Sequence, residues 1–302
     1  MLMYHRVLKT VAEESVFVQP GMYVSLDNFR CQMIFLKERF DVLPLDRLIT
    51  RFKAGQCLRG CCSITFDDGW HDNFSVAFPV LREFQLPATI FLATDFIGSD
   101  RLFWPEALTY YLRRPDIRDS VGQRSQAFTR LLGEIDIKNG DDSFLDSAVA
   151  ALKKWSPFER EELIQYLRAS SSALPLRGLT INWEEAREMQ LSGLITFGAH
   201  TANHVILDQV SQLQAEDEIL QSRNKIENQL GITPEIFAYP NGNFTAGLKT
   251  ILQRYGFMGA VSTRKACLEQ GNDFFEIPRI GIHEDVSRTI PMFLARIFLK
   301  GF

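Results

Sequence analysis

The sequence has no surplus of basic charge. Its 302 residues hold 33 Lys and Arg against 37 Asp and Glu, a formal net charge of −4. It therefore lacks the cationic face that neutralises phosphates, and no nucleic-acid partner is expected. Cysteine is sparse and badly spaced for metal or disulfides. Cys31, Cys57, Cys61, Cys62 and Cys267 are five, an odd number without zinc-type intervals, and the adjacent Cys61-Cys62 suits a buried strand. That usage favours a reducing compartment. The opening MLMYHRV sets His5 and Arg6 where a signal-peptide core or membrane span would have to continue, so the chain as given reads as cytoplasmic. Internal repeats and low-complexity tracts are missing too.

What is present is an alternation. Apolar runs of strand type recur as MLMY at 1–4, CCSITF at 61–66, ATIFLA at 88–93, LITFGA at 194–199, IFAY at 236–239 and FMGAVS at 257–262. Between them, 26–39, 72–84, 183–192, 211–229 and 244–255 carry apolar residues at helical spacing, with Asp72 and Ser211 as N-caps. Strand and helix in turn predict parallel pairing, hence an α/β barrel or a doubly wound sheet. From 99 to 180 the rhythm breaks into helical patterns separated by Arg114-Pro115, Lys138-Asn139-Gly140-Asp141-Asp142 and Ser156-Pro157. We read this stretch as a helical insertion or lid within one domain spanning 1–302.

Polar residues of unusual chemistry follow three of the strands, where loops at the carboxyl ends of parallel strands converge. Asp67 and Asp68, in Thr65-Phe66-Asp67-Asp68-Gly69, follow a buried run. Two adjacent carboxylates there need a cation or strong hydrogen bonds to stay ionised; on its own the motif is equally a capping turn. His200 and His204, in His200-Thr201-Ala202-Asn203-His204, are two of only five histidines, and a spacing of four puts both rings on one face of a helical turn. Two histidines and one carboxylate leave positions open on a catalytic ion. Side chains of neighbouring residues on an extended backbone diverge, so one Asp can bind metal while the other serves as base. Phe237 to Gly242 runs into a Pro-Asn-Gly turn that can present the Asn241 N–H to an oxyanion.

Together these residues resemble the polysaccharide deacetylase family, the NodB-homology carbohydrate esterases, over most of the chain outside the insertion. The resemblance implies a distorted, incomplete (β/α) barrel with a metal in a groove at its top. It implies Asp67 as base, and Asp68, His200 and His204 as ligands of one divalent ion, Zn2+ first, with Co2+, Ni2+ or Mn2+ as alternatives. The arginine that many members carry in the third motif is replaced by Ala238, and Arg279 is expected to orient Asp67 instead. His283, in Ile277-Pro278-Arg279-Ile280-Gly281-Ile282-His283, matches the family's general acid, although no fourth motif is found to tune it. His5 and Tyr239 are candidate substrate or supporting contacts; His71 has no assigned role. The implied reaction removes an N-acetyl or similar N-acyl group from an amino sugar, in polysaccharide biosynthesis or modification.

The substrate is expected to be nucleotide-linked, lipid-linked or oligomeric. Trp104, Tyr110, Tyr111 and Trp155 of the insertion are read as core aromatics in preference to sugar platforms. The apolar tail from Ile290 to Lys300 is read as a terminal helix packed on the barrel, with peripheral contact at the inner membrane surface as the alternative. Two other functions share these residues: a non-haem Fe(II) enzyme, whose centre also uses two histidines and a carboxylate, and a non-catalytic carbohydrate-binding descendant.

Overall fold

Runs that are apolar at every position belong in strands covered on both faces, and that is where these runs lie. The structure is a computed structural model that describes residues 1–11, 18–114, 126–135, 143–169, 179–269 and 271–299. Its strands are β1 (Leu2–Tyr4), β2 (Arg6–Leu8), β3 (Tyr23–Ser25), β4 (Asp41–Val42), β5 (Cys61–Cys62), β6 (Ile64–Phe66), β7 (Ala88–Leu92), β8 (Ile195–Ala199), β9 (Ile236–Ala238), β10 (Gly259–Val261) and β11 (Ile280–Gly281). Seven of them form one parallel sheet in the order β10-β9-β8-β7-β6-β1-β11. β2 with β3, and β4 with β5, make two small parallel pairs.

The sheet curls into a half-barrel. The segment before β11 bonds first to β10, through Ala260 N–H to the Phe274 carbonyl at 2.8 Å and Ser262 N–H to the Ile277 carbonyl at 2.8 Å. It then crosses to β1, where Ile280 N–H reaches the Met1 carbonyl at 2.9 Å. Residues that alternate along each strand divide between two cores. Leu2, Tyr4, Ile64, Phe66, Ile90 and Phe237 face the surrounding helices. Phe91, Ile236, Ala238 and Val261 pack with Ile277 in a smaller inner cluster.

The helices are α1 (Leu26–Arg39), α2 (Leu45–Lys53), α3 (Phe78–Phe84), α4 (Trp104–Arg113), α5 (Gln126–Glu134), α6 (Ser143–Leu152), α7 (Pro157–Ala169), α8 (Trp183–Leu191), α9 (Gln212–Leu230), α10 (Ala246–Arg254), α11 (Glu284–Ser287) and α12 (Ile290–Phe298). Ser211 caps α9 as expected, its hydroxyl accepting from Gln214 N–H. Asn182 and Glu185 form a capping box on α8. The tail helix α12 buries Phe293 in the main core and leaves Phe298 and Leu299 exposed.

Two expectations need correction. The single helix at 72–84 is a π-turn, Asn73–Ala77, followed by α3, and Asp72 makes no cap. Its carboxylate accepts the Val7 N–H at 3.0 Å and pairs with Arg6. β2, β3, β4 and β11 were not anticipated, since strands of two or three residues carry no period to read; α2 was not anticipated either.

The chain divides into two compact units, one of Met1–Lys9, Tyr23–Ser99 and Gly178–Phe302, the other of Thr10–Met22 and Asp100–Arg177. The second unit has its own helical core. Tyr111 and Trp155 are buried in it, Tyr110 joins them and Trp104 packs at its edge, so these aromatics serve packing. Of the breakers named above, Pro115, the run 138–142 and, in the tail, Lys300 lie outside the described residues.

Candidate active site

The three motifs meet at the carboxyl ends of β6, β8 and β9. Asp67 and Asp68 leave β6, and the chain there turns left-handed, with φ of 77° at Asp68 and 79° at Gly69. A side chain at Gly69 would meet Ile97 and Leu92 at 2.8 and 2.9 Å, so only glycine fits this turn. His200 to His204 leave β8 as a loop rather than the helical turn the spacing suggested: Thr201 and His204 are left-handed at φ 63° and 54°. Asn241, on the turn after β9, is left-handed as well, at φ 57°. Of the five non-glycine residues with positive φ among those described, four lie in these motifs. Such backbone is costly and collects where geometry serves function.

The result is a convergence. Nε2 of His200 and Nε2 of His204 lie 3.4 and 3.3 Å from the same atom, Asp68 Oδ1, and Asp68, His200 and His204 each turn one ligand atom to within 4.8 Å of the others. Asp68 Oδ1 is buried and has no hydrogen-bond partner among the described residues. Ligand atoms about 2.0–2.1 Å from one tetrahedral ion lie about 3.3 Å apart, so these donors fit a divalent ion such as zinc. His200 is oriented from behind, its Nδ1 2.8 Å from the Ala238 carbonyl, as metal-binding histidines usually are. Burial pushes His204 down to about 4 against the pull of Asp68, keeping it neutral. Burial opposes the charge on Asp68 too, but the two histidines outweigh it and hold the carboxyl well below its ordinary range.

Asp67 turns away from this cluster into the half-barrel. Arg279, fully buried over the Phe91 ring, donates to both its oxygens at 2.6 and 2.7 Å. The same guanidinium reaches Thr65 Oγ1 at 3.1 Å and the Ser262 carbonyl at 3.0 Å. Arg279 is thus placed directly against Asp67, the position the sequence reading expects of it. Burial alone would raise the Asp67 carboxyl; the charge and hydrogen bonds of Arg279 prevail and hold it low.

The other candidates are placed less uniformly. His5, after β1, has Nε2 4.0 Å from Asp67 Oδ2, and burial holds its ring below the ordinary histidine value. His283 lies past the end of β11, a quarter exposed, with Nδ1 3.4 Å from Asp285. Asn241 donates its side chain to Asn243 Oδ1 at 2.7 Å. Tyr239 is fully buried in the main core, and its hydroxyl donates to the Phe275 carbonyl at 3.1 Å. His71 faces Glu185 at 3.3 Å.

Sequence reasoning missed two supports. Glu218 of α9 is buried and accepts from Asn203 N–H at 2.7 Å and Asn203 Nδ2 at 3.0 Å, anchoring the histidine loop. Nothing in one sequence sets Glu218 apart from the other acidic residues of α9. Trp70 donates its indole N–H to Asp68 Oδ2 at 2.9 Å. Its closeness to the Asp pair was visible; its direction, set by two left-handed residues, was not.

Comparison with known proteins agrees with this geometry. The family model described as polysaccharide deacetylase matches residues 56–138 and 143–260, more than half of the chain. A putative polysaccharide deacetylase of Bacillus subtilis, YxkH, is 50% identical over 38 residues, 13% of this chain and 14% of that protein. Among solved structures, the Streptococcus pyogenes deacetylase PplD in complex with acetate aligns with a TM-score of 0.64 at 19% identity, covering 98% of this chain and 96% of that one. IcaB from Ammonifex degensii aligns with a TM-score of 0.61 at 18% identity, covering 98% and 95%. These two show a shared fold, and the family match shows membership: this chain belongs to the polysaccharide deacetylases, carbohydrate esterases that act on amide bonds.

Proposed function

We propose that the chain is a metal-dependent hydrolase that removes an N-acetyl or similar N-acyl group from an amino sugar of a glycan or glycan precursor. One observation carries the reading: a buried carboxylate oxygen, without a hydrogen bond among the described residues, faces two imidazole nitrogens at 3.3 and 3.4 Å. A charged oxygen is expensive to bury without hydrogen bonds, and a cation is what these three donors suit. Asp68, His200 and His204 would hold a divalent ion, Zn2+ before Co2+, Ni2+ or Mn2+, which would supply Lewis acidity to a water and to the acyl carbonyl.

The chain's own residues do the rest. Asp67, ionised under Arg279, takes the proton of the attacking water as the new C–O bond forms. The two guanidinium bonds occupy one lone pair on each oxygen, which leaves capacity to accept a proton. The Asn241 N–H, on a turn next to the carbonyl that orients His200, is the donor toward the developing oxyanion. As the C–N bond breaks, the amine leaves with a proton, for which His283 at the end of β11 is the candidate donor, and His5 is a candidate substrate contact beside Asp67. The acetate solved with the streptococcal deacetylase is the product such a step would release.

Oligomers of N-acetylhexosamine are the substrates to try. Acetate release should stop on chelation and return with zinc or cobalt. Release that survives thorough chelation would refute the metal; release of neither acid nor free amine would refute deacylation.

A further inference from the structure

Asp68 has two carboxylate oxygens, and the structure treats them differently. Oδ1 faces the histidines, whereas Oδ2 accepts the indole N–H of Trp70, only two residues on. A carboxylate held by one oxygen from the protein side is fixed in rotation and left to offer a single atom on the other.

Trp70 is itself gripped. It is 2% exposed and paired across an isolated bridge with Thr180, while Ile181 N–H bonds the Gly69 carbonyl at 2.9 Å and His71 N–H the Leu179 carbonyl at 2.7 Å. The Arg6 guanidinium carbon lies 4.4 Å from the centroid of the indole ring. Arg6 is buried, its Nε pairs with buried Asp72, and its Nη1 has no hydrogen-bond partner among the described residues. The ring face takes the place of that missing acceptor. Asp72 also accepts the Val7 N–H and the Asn73 amide, and Asn73 donates to the His5 carbonyl at 2.8 Å, so the support is tied to β2 and to His5. A cation above the ring draws electron density from it and strengthens the N–H as a donor.

We propose that Trp70, backed by Arg6 and Asp72, is the positioning residue of the metal site: it holds Asp68 so that Oδ1 alone faces the ion. This rests on the metal-dependent reading above and adds a support that none of the three motifs contains.

The test is zinc affinity, measured by competition with a chromophoric chelator. Trp70→Phe keeps a ring under Arg6 but removes the donor, and zinc binding should weaken about 10–100-fold while the metal-free protein stays folded. Cobalt-loaded Trp70→Phe should also show altered visible bands as the freed carboxylate changes its mode of binding. Arg6→Gln should weaken zinc binding less, and should add little in the Trp70→Phe background, because it acts through the indole. A purely structural Trp70 would lower the melting temperature and leave zinc affinity alone, which overturns the proposal. If Trp70→Phe does not fold, Arg6→Gln decides by the same reading. Zinc binding by the unaltered chain separates the two ideas: none at all refutes the proposed function, whereas equal binding by chain and variants refutes only the role of Trp70.

Discussion

Replacing Asp67 by asparagine should lower kcat for acetate release by about 10²–10⁴-fold, the range that a positioned general base supplies. The substitution keeps the shape and one acceptor oxygen but removes the basic site. Metal content should be unchanged, because Asp67 points at Arg279 rather than at His200 and His204. A variant with normal metal content and no turnover separates the base from the ligands. A variant that retains more than about a tenth of wild-type kcat would place the base elsewhere, with His5 the next group to examine, 4.0 Å from Asp67.

Arg279→Gln should have the largest effect on folding. The pair it breaks is almost wholly buried, with side-chain exposures of 0% and 3%. Removing one partner from such a pair leaves an uncompensated charge and costs about 3–5 kcal/mol. The loss depends on pH, with a definite sign. In the native protein Arg279 holds the Asp67 carboxyl low, so the pair stabilises above the ordinary carboxylate range and its contribution fades only in stronger acid. Without the guanidinium, burial raises that carboxyl, and its ionisation then costs stability as pH rises. The deficit of the variant should therefore be large at neutral pH and shrink toward about pH 4, where the carboxyl can be neutral. Denaturant unfolding at several pH values measures this directly. In whatever fraction stays active, the acid limb of the rate profile should move to higher pH.

The half-barrel was legible where strands are buried on both faces. MLMY, ATIFLA and LITFGA show no alternation, and each became a strand of the central sheet. β11 was not legible: two residues carry no period, and it pairs with β1 across some 280 positions of sequence. α2 had a signal that was overlooked, since Leu45, Leu48 and Ile49 are spaced for one helical face and are buried.

For the site, residue types and order could be read but backbone direction could not. The same H-x-x-x-H spacing serves a helix and a loop, and the left-handed Thr201 and His204 make it a loop. The divergence of Asp67 and Asp68 was expected from an extended backbone; it comes instead from the turn at Asp68, φ 77°. Arg279 is legible only through the family resemblance, which marks the third motif as lacking its arginine; the fold then brings its guanidinium to 2.6 and 2.7 Å from the Asp67 oxygens. Asp72 read as a cap since aspartate before a helix usually is one; only the fold brings Arg6 against it.

The measurement closest to the central claim is metal content and acetate release in the same samples of intact chain and His204→Ala. About one divalent ion per intact chain is expected, with acetate released, and loss of both in the variant, since two remaining donors make a weak site. An intact chain that releases acetate without an ion, or a His204→Ala variant that keeps both ion and activity, would contradict it.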